Sequence, residues 1–166
     1  THRISPPIRA LILTGRFMAR QGALCYDSAH TLKVNHMERP FDRDINIIYV
    51  EDEPSIAQLL VSGLGLFGIT VRPVFMSAEE LLDNLEREEL KSADMLFFDI
   101  RLPKMTGVEL ATELRERGEK RPFVLVSAWP APSQKKLNEI QAVFLPKPFD
   151  FPDVIRTIQQ LYQPDS

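Results

Sequence analysis

Five side chains, scattered along the sequence, each stand at the end of a short apolar run. Glu51 and Asp52 follow Asn46–Val50, Asp99 follows Met95–Phe98, Ser127 follows Phe123–Val126, and Lys147 stands just past Ala142–Leu145. Continuous apolar runs of this length are the pattern of strands buried on both faces of a parallel sheet. Open parallel sheets carry their sites beyond the carboxyl ends of the strands. Three carboxylates, a hydroxyl and an ammonium therefore collect on one edge. Carboxylates crowded together oppose one another's ionisation. A hard divalent cation relieves this, and Mg²⁺, which takes one or two carboxylates and keeps its waters, suits an all-oxygen set. A carboxylate beside Mg²⁺ can act as a nucleophile toward phosphorus, and a hydroxyl and an ammonium then face the charge on the transferred oxygens. Singly, Ser127 and Lys147 are ordinary loop residues and the acids could be helix caps. Their common edge carries the chemistry.

The elements that must hold these residues alternate regularly. Pro54 suits a first helical position, and Ile56, Leu59, Leu60, Leu64 and Phe67 come after it at helical spacing up to Gly68. Ile69–Phe75 is a second strand. Ser77-Ala-Glu-Glu80 and Thr106-Gly-Val-Glu109 are capping boxes, with Leu81, Leu82 and Leu85 behind the first and Leu110, Ala111 and Leu114 behind the second. Asp150 caps a last helix with the face Val154, Ile155, Ile158 and Leu161. Five strand–helix alternations predict an α/β fold whose parallel sheet is covered on both sides. Between Ser127 and Lys147 stand Trp129-Pro-Ala-Pro132, and only Leu137 and Ile140 make an apolar stripe. Proline disfavours the helical conformation in the residue before it, which predicts a short or late-starting fourth helix.

Glu51-Asp52-Glu53, the run Phe98-Asp99-Ile-Arg-Leu-Pro-Lys-Met-Thr-Gly107, Val126-Ser127-Ala128 and Lys147-Pro148-Phe149 jointly resemble the receiver domain of bacterial response regulators, over about residues 45–162. The resemblance implies a flavodoxin-like (βα)5 doubly wound sheet of strand order 2-1-3-4-5. It also implies roles. Asp99 would be the phosphoacceptor. Asp52 would bind Mg²⁺ directly, Glu51 mainly through water, and the backbone carbonyl of Arg101 would be a further ligand. Ser127 would hydrogen-bond the phosphoryl oxygens, Lys147 would pair with Asp99 or its phosphoryl group, and Phe144 falls at the aromatic switch position. Lys147-Pro148 would be a cis peptide. The phosphoryl group would come from a histidine kinase or phosphotransfer protein, and the output would be a change of shape read by a downstream protein target. Such a domain catalyses only its own phosphorylation and dephosphorylation.

Two other classes compete with this expectation. A phosphotransferase or hydrolase of the haloacid-dehalogenase type wants Asp-x-Asp at its nucleophile, whereas Arg101 stands two beyond Asp99. A degenerate receiver serving only as a binding module would not need the full set of phosphorylation residues. Two departures bear on output. Ser127 and Lys147 are closer together than is usual in the family, and Gln141 and Ala142 stand where it usually has glycine and alanine. Standard dimer geometry is therefore in question, and a monomer or weak dimer is expected. Trp129 is either an exposed partner anchor or loop cover over the site.

Composition narrows the remaining classes. Of 166 residues 44% are hydrophobic and 26% charged, which excludes a wholly disordered chain. One cysteine, Cys25, excludes an internal disulfide. No apolar run is long enough to cross a bilayer, and these features predict a cytoplasmic protein without a membrane partner. Residues 37–166 carry 15 bases against 22 acids, which argues against direct DNA binding. Residues 1–36 reverse that balance, with five bases against Asp27. The expected organisation is an extension over residues 1–44, disordered or non-native upstream sequence with Met37 as the natural start, then a receiver domain at 45–162 and a tail at 163–166. A stand-alone receiver is the leading expectation, with a fragment of a longer regulator as the alternative.

Overall fold

The computed structural model describes residues 40–162. The expectations for residues 1–39, the start at Met37 among them, and for residues 163–166 fall outside the described residues. Five strands, β1 (Ile45–Val50), β2 (Ile69–Phe75), β3 (Met95–Asp99), β4 (Phe123–Ser127) and β5 (Ala142–Pro146), form one parallel sheet in the order β2-β1-β3-β4-β5. The helices among the described residues are α1 (Pro54–Gly65), α2 (Ala78–Asp83), α3 (Glu88–Lys91), α4 (Gly107–Glu116), α5 (Gln134–Glu139) and α6 (Phe151–Leu161). This is the flavodoxin-like doubly wound fold. Neighbouring side chains on a strand point to opposite faces, and each face builds its own core layer. Ile48, Val50, Leu96, Phe98 and Leu125 join Leu81, Leu110 and Leu114 on one side. Ile47, Tyr49, Phe97, Val124 and Val126 join Leu60, Leu64, Val154 and Ile158 on the other.

The register assembles the functional edge. Val50 pairs with Phe98, Asp99 with Val126, and Ser127 with Pro146. Glu51 therefore leaves the sheet beside Asp99, Asp99 beside the end of β4, and Ser127 beside the start of the Lys147 turn. Lys147-Pro148 is a cis peptide, as is Arg72-Pro73.

The helices depart from the sequence expectation in two places. The inward face of α1 is Ala57, Leu60, Gly63 and Leu64, while Ile56 and Leu59 are 36% and 65% exposed. Apolar residues cover much of the perimeter of α1, so spacing alone does not choose its buried stripe. Phe151 helps choose it, because its ring occupies the space over Gly63 where a Cβ would fall 1.9 Å from Phe151 Cζ. The second departure is the end of α2 at Asp83. The Asn84 amide donates to the Glu80 carbonyl at 2.7 Å, taking an acceptor that a further helical turn would use. The chain then forms the separate one-turn α3, which delivers Leu90 to the core. The Ser77 box is also only half formed: Ser77 Oγ accepts from the Glu80 N–H, but Glu80 Oε2 accepts from the N–H of Met76. The Thr106 and Asp150 boxes are complete.

The fourth connecting helix, α5, has six residues and starts only at Gln134, with Ser133 as its cap. Gln141 stands just beyond it with φ 49°, a left-handed conformation in which glycine is the unstrained residue. Arg115 braces this corner, donating to the carbonyls of Ile140 and Gln141 at 2.8 and 3.3 Å. Ahead of β1, Phe41 is buried and meets the Tyr162 ring edge-on at 5.5 Å, so packing begins before the first strand. Among the described residues no helix is long and apolar enough to cross a membrane.

Gly107 closes the loop that begins at Asp99. Its N–H donates to the Ile100 carbonyl at 3.1 Å, and a Cβ there would fall 2.2 Å from the Asp99 carbonyl oxygen. Backbone cannot yield as a side-chain tip can. Gly107→Ala is expected to cost about 2–3 kcal/mol, the scale of overpacking, in a urea unfolding curve. A midpoint equal to wild type would contradict a fixed loop.

Candidate functional site

Asp99, the last residue of β3, is 7% exposed. Its Oδ1 accepts the N–H of Arg101 at 2.7 Å, and its Oδ2 accepts from the ammonium of Lys147. The same ammonium donates to Glu51 Oε2 at 2.7 Å. Glu51 is 1% exposed, and its Oε1 accepts the N–H of Glu53 at 3.3 Å. Lys147 thus bridges two buried carboxylates on adjacent strand ends. Burial alone would pull the Lys147 ammonium below its ordinary pKa, but the hydrogen bonds and charges of Asp99 and Glu51 outweigh it and hold the pKa above that value. The lysine is therefore a firmly charged partner for both acids.

Ser127 is buried at the end of β4. Its Oγ accepts the N–H of Trp129 at 3.1 Å, and its carbonyl accepts the N–H of Lys147 at 2.8 Å. Five of the residues expected at the site thus gather here: Glu51, Asp99, Arg101 through its backbone, Ser127 and Lys147. Asp52 is exposed and makes none of these bonds. Among the described residues no group of three or more His, Cys, Asp or Glu side chains stands ready to hold a metal ion. Where three crowded carboxylates were expected, Glu51 and Asp99 form a buried pair bridged by Lys147, and Asp52 is exposed. Phe144 lies in β5 opposite Leu125, partly buried against the first core layer, and makes no bond to the five.

One residue of the site and one side-chain role escaped the sequence reading. Tyr49 is fully buried, and its hydroxyl donates to Glu51 Oε2 at 2.6 Å. The available signal was a polar-tipped aromatic two positions before Glu51, on the same side of the strand. The second is the Arg101 side chain, whose guanidinium lies 4.9 Å from the Trp129 ring centre. Trp129 is 53% exposed. It therefore joins the Asp99 loop to the Ser127 loop while still presenting half of its surface to solvent.

This edge, on this fold, defines a class. Residues 47–159 match the family model of the response regulator receiver domain, and the chain belongs to that family. Its members are signalling modules of two-component systems, not classical enzymes, and they work with histidine kinases and downstream targets. Among individual proteins, the chain is 28% identical over 120 residues to the response regulator protein TodT of Pseudomonas putida, covering 71% of this chain and 51% of that one. It is 34% identical over 123 residues to an uncharacterized 14.6 kDa protein of Leptolyngbya boryana, covering 70% of this chain and 88% of that protein. The chain spans about half the length of the regulators TodT and MprA of Mycobacterium ulcerans. The receiver domain of HemR from Leptospira biflexa superposes with a TM-score of 0.60 at 26% identity, covering 74% of this chain and all of that one. The response regulator protein TrrA of Thermotoga maritima, solved in complex with Mg²⁺ and BeF, superposes with a TM-score of 0.61 at 24% identity, over 71% and 99% of the two chains.

Proposed function

We propose that Asp99 accepts a phosphoryl group from a histidine kinase or phosphotransfer protein, and that the phosphorylated domain changes shape for a downstream protein partner. The observation that carries this reading is the buried Asp99 carboxylate held between the Arg101 N–H and the Lys147 ammonium. A carboxylate oxygen of Asp99 forms the new P–O bond as the P–N bond of the donor phosphohistidine breaks, and the electron pair of that bond leaves on the imidazole nitrogen, which solvent water protonates. The Arg101 N–H orients the carboxylate. Lys147 neutralises charge on the transferred oxygens, which is where most of the catalysis of phosphoryl transfer lies. The Ser127 hydroxyl then has a phosphoryl oxygen to which it can donate.

The donor set also fits Mg²⁺. Glu51 and Asp99 already share a cation, the Lys147 ammonium, and every available donor is a hard oxygen. Glu51, Asp52, Asp99 and the Arg101 carbonyl would hold the ion, with the exposed Asp52 side chain turning inward. When bound it supplies charge neutralisation at the phosphoryl oxygens. The partner that donates the phosphoryl group finds an apolar surface close by, since α1 begins two residues after Asp52 and leaves Ile56 and Leu59 exposed. Residues 45–162 form the receiver in this reading, working in the cytoplasm as a monomer or weak dimer, without direct contact to DNA or membrane.

The test is labelling with a small acyl phosphate, with and without Mg²⁺. Mg²⁺-dependent incorporation of one phosphoryl group per chain is expected. Turnover of external phosphate esters would favour a hydrolase, and no incorporation would favour a pure binding module.

The loop after Ser127 gives an optical readout. Trp129 is the only tryptophan, and its backbone N–H donates to Ser127 Oγ. Prolines at 130 and 132 stiffen the chain beyond it, so a pull on Ser127 moves the indole relative to Arg101. Its emission is expected to change on adding Mg²⁺ with a small acyl phosphate or beryllofluoride, and to stay constant with the acyl phosphate in Asp99→Asn. Unchanged emission from protein shown by mass to be phosphorylated would remove Trp129 from the output.

A further inference from the structure

Tyr49 is a buried titratable group that the phosphotransfer scheme leaves unused. Its ring sits in the core layer of Leu60, Leu64, Phe97, Val124 and Val126, where phenylalanine would fill the same space. The hydroxyl is what phenylalanine lacks, and it is committed to Glu51 Oε2 at 2.6 Å. Lys147 donates to the same oxygen at 2.7 Å. Two donors thus converge on one carboxylate oxygen, and one of them, Lys147, is shared with Asp99. A phenol is neutral at pH 7, so Tyr49 enters this bond as the donor.

We propose that Tyr49 is a positioning residue for phosphotransfer: its hydroxyl satisfies part of Glu51, so that Lys147 is held between Glu51 and Asp99 and not captured by Glu51. This role rests on the reading of Asp99 as phosphoacceptor. Without the hydroxyl, Lys147 is, among the described residues, the one remaining side-chain donor to a carboxylate that is 1% exposed. In that low-dielectric setting an under-satisfied carboxylate pulls strongly on the ammonium beside it. The ammonium then sits closer to Glu51 and neutralises less charge at Asp99. Tyr49 acts through Glu51 and Lys147 and touches no reacting atom.

The experiment is Tyr49→Phe, labelled by a small acyl phosphate at saturating Mg²⁺. The maximal labelling rate is expected to fall about tenfold, the scale of one hydrogen bond to a charged group, while the donor concentration for half-maximal rate stays unchanged. In a Lys147→Met background the same substitution is expected to add no further slowing. A merely structural tyrosine would lower the melting temperature and leave the maximal rate of the folded protein alone. That result, or equal slowing in both backgrounds, overturns the proposal. Should Tyr49→Phe fail to fold, Tyr49→Phe with Glu51→Gln is compared with Glu51→Gln alone. Equal rates support the role, and a slower double variant overturns it. A wild type that takes no label overturns the phosphoacceptor reading and this role with it. A labelled wild type matched by Tyr49→Phe overturns this role alone.

Discussion

Asp99→Asn protein, mixed with Mg²⁺ and a small acyl phosphate, is expected to take up no phosphoryl group while remaining folded. The amide is nearly isosteric with the carboxylate but is not a nucleophile toward phosphorus. Its single oxygen can keep the bond from the Arg101 N–H or the bond from Lys147, whereas the carboxylate accepts both. Lys147 keeps Glu51 as its partner, and one buried negative charge is gone. These changes oppose each other, so stability is expected to stay within about 1 kcal/mol of wild type, the worth of an ordinary hydrogen bond. Intact-mass measurement reads the first result and thermal unfolding the second. Undiminished Mg²⁺-dependent uptake by Asp99→Asn would move the acceptor to another side chain.

The second large effect is expected from Lys147→Met, which keeps most of the length of the side chain and removes its charge. Glu51 and Asp99 have side chains 2% and 10% exposed and share that one ammonium. Removing it leaves two buried carboxylates facing each other. Breaking a buried ion pair by deleting one partner costs about 3–5 kcal/mol, and that is the loss expected in urea unfolding without Mg²⁺ at neutral pH. Millimolar Mg²⁺ should restore part of the stability, since an ion that binds only the native state stabilises it. Labelling of Asp99 should slow by roughly a hundredfold or more, the scale of losing one preorganised charge-stabilising group. A variant as stable as wild type, with or without Mg²⁺, would contradict the bridging role.

The strands and the residues at their ends were legible in the sequence for one physical reason. A parallel sheet buries both faces, so Asn46–Val50, Met95–Phe98 and Phe123–Val126 stand out as unbroken apolar runs, and the first polar residue after each marks its end. The late start of α5 was legible because Pro130 and Pro132 disfavour an earlier one. The features that escaped depend on three-dimensional neighbours. The rotation of α1 depends on Phe151, far along the chain, packing over Gly63. The break between α2 and α3 depends on one Asn84 side-chain bond that competes with the helix. Asp52 was expected beside Glu51 and Asp99 because it adjoins them in sequence and register. Lys147 offsets one of the two charges of that pair, and the remaining negative charge repels a third carboxylate, so Asp52 stays exposed. Tyr49 was hidden because a tyrosine inside an apolar run reads as core, and only the bond to Glu51 distinguishes it.

The most direct test of phosphoacceptor function is to find where the phosphoryl group goes. Wild-type protein is incubated with Mg²⁺ and a small acyl phosphate, digested, and mapped by tandem mass spectrometry alongside a metal-chelated control. The expected result is one hydroxylamine-labile phosphoryl group per chain, on the peptide carrying Asp99 and absent from the control. A phosphoryl group on any other residue, or none on protein that is folded and supplied with Mg²⁺, would contradict it.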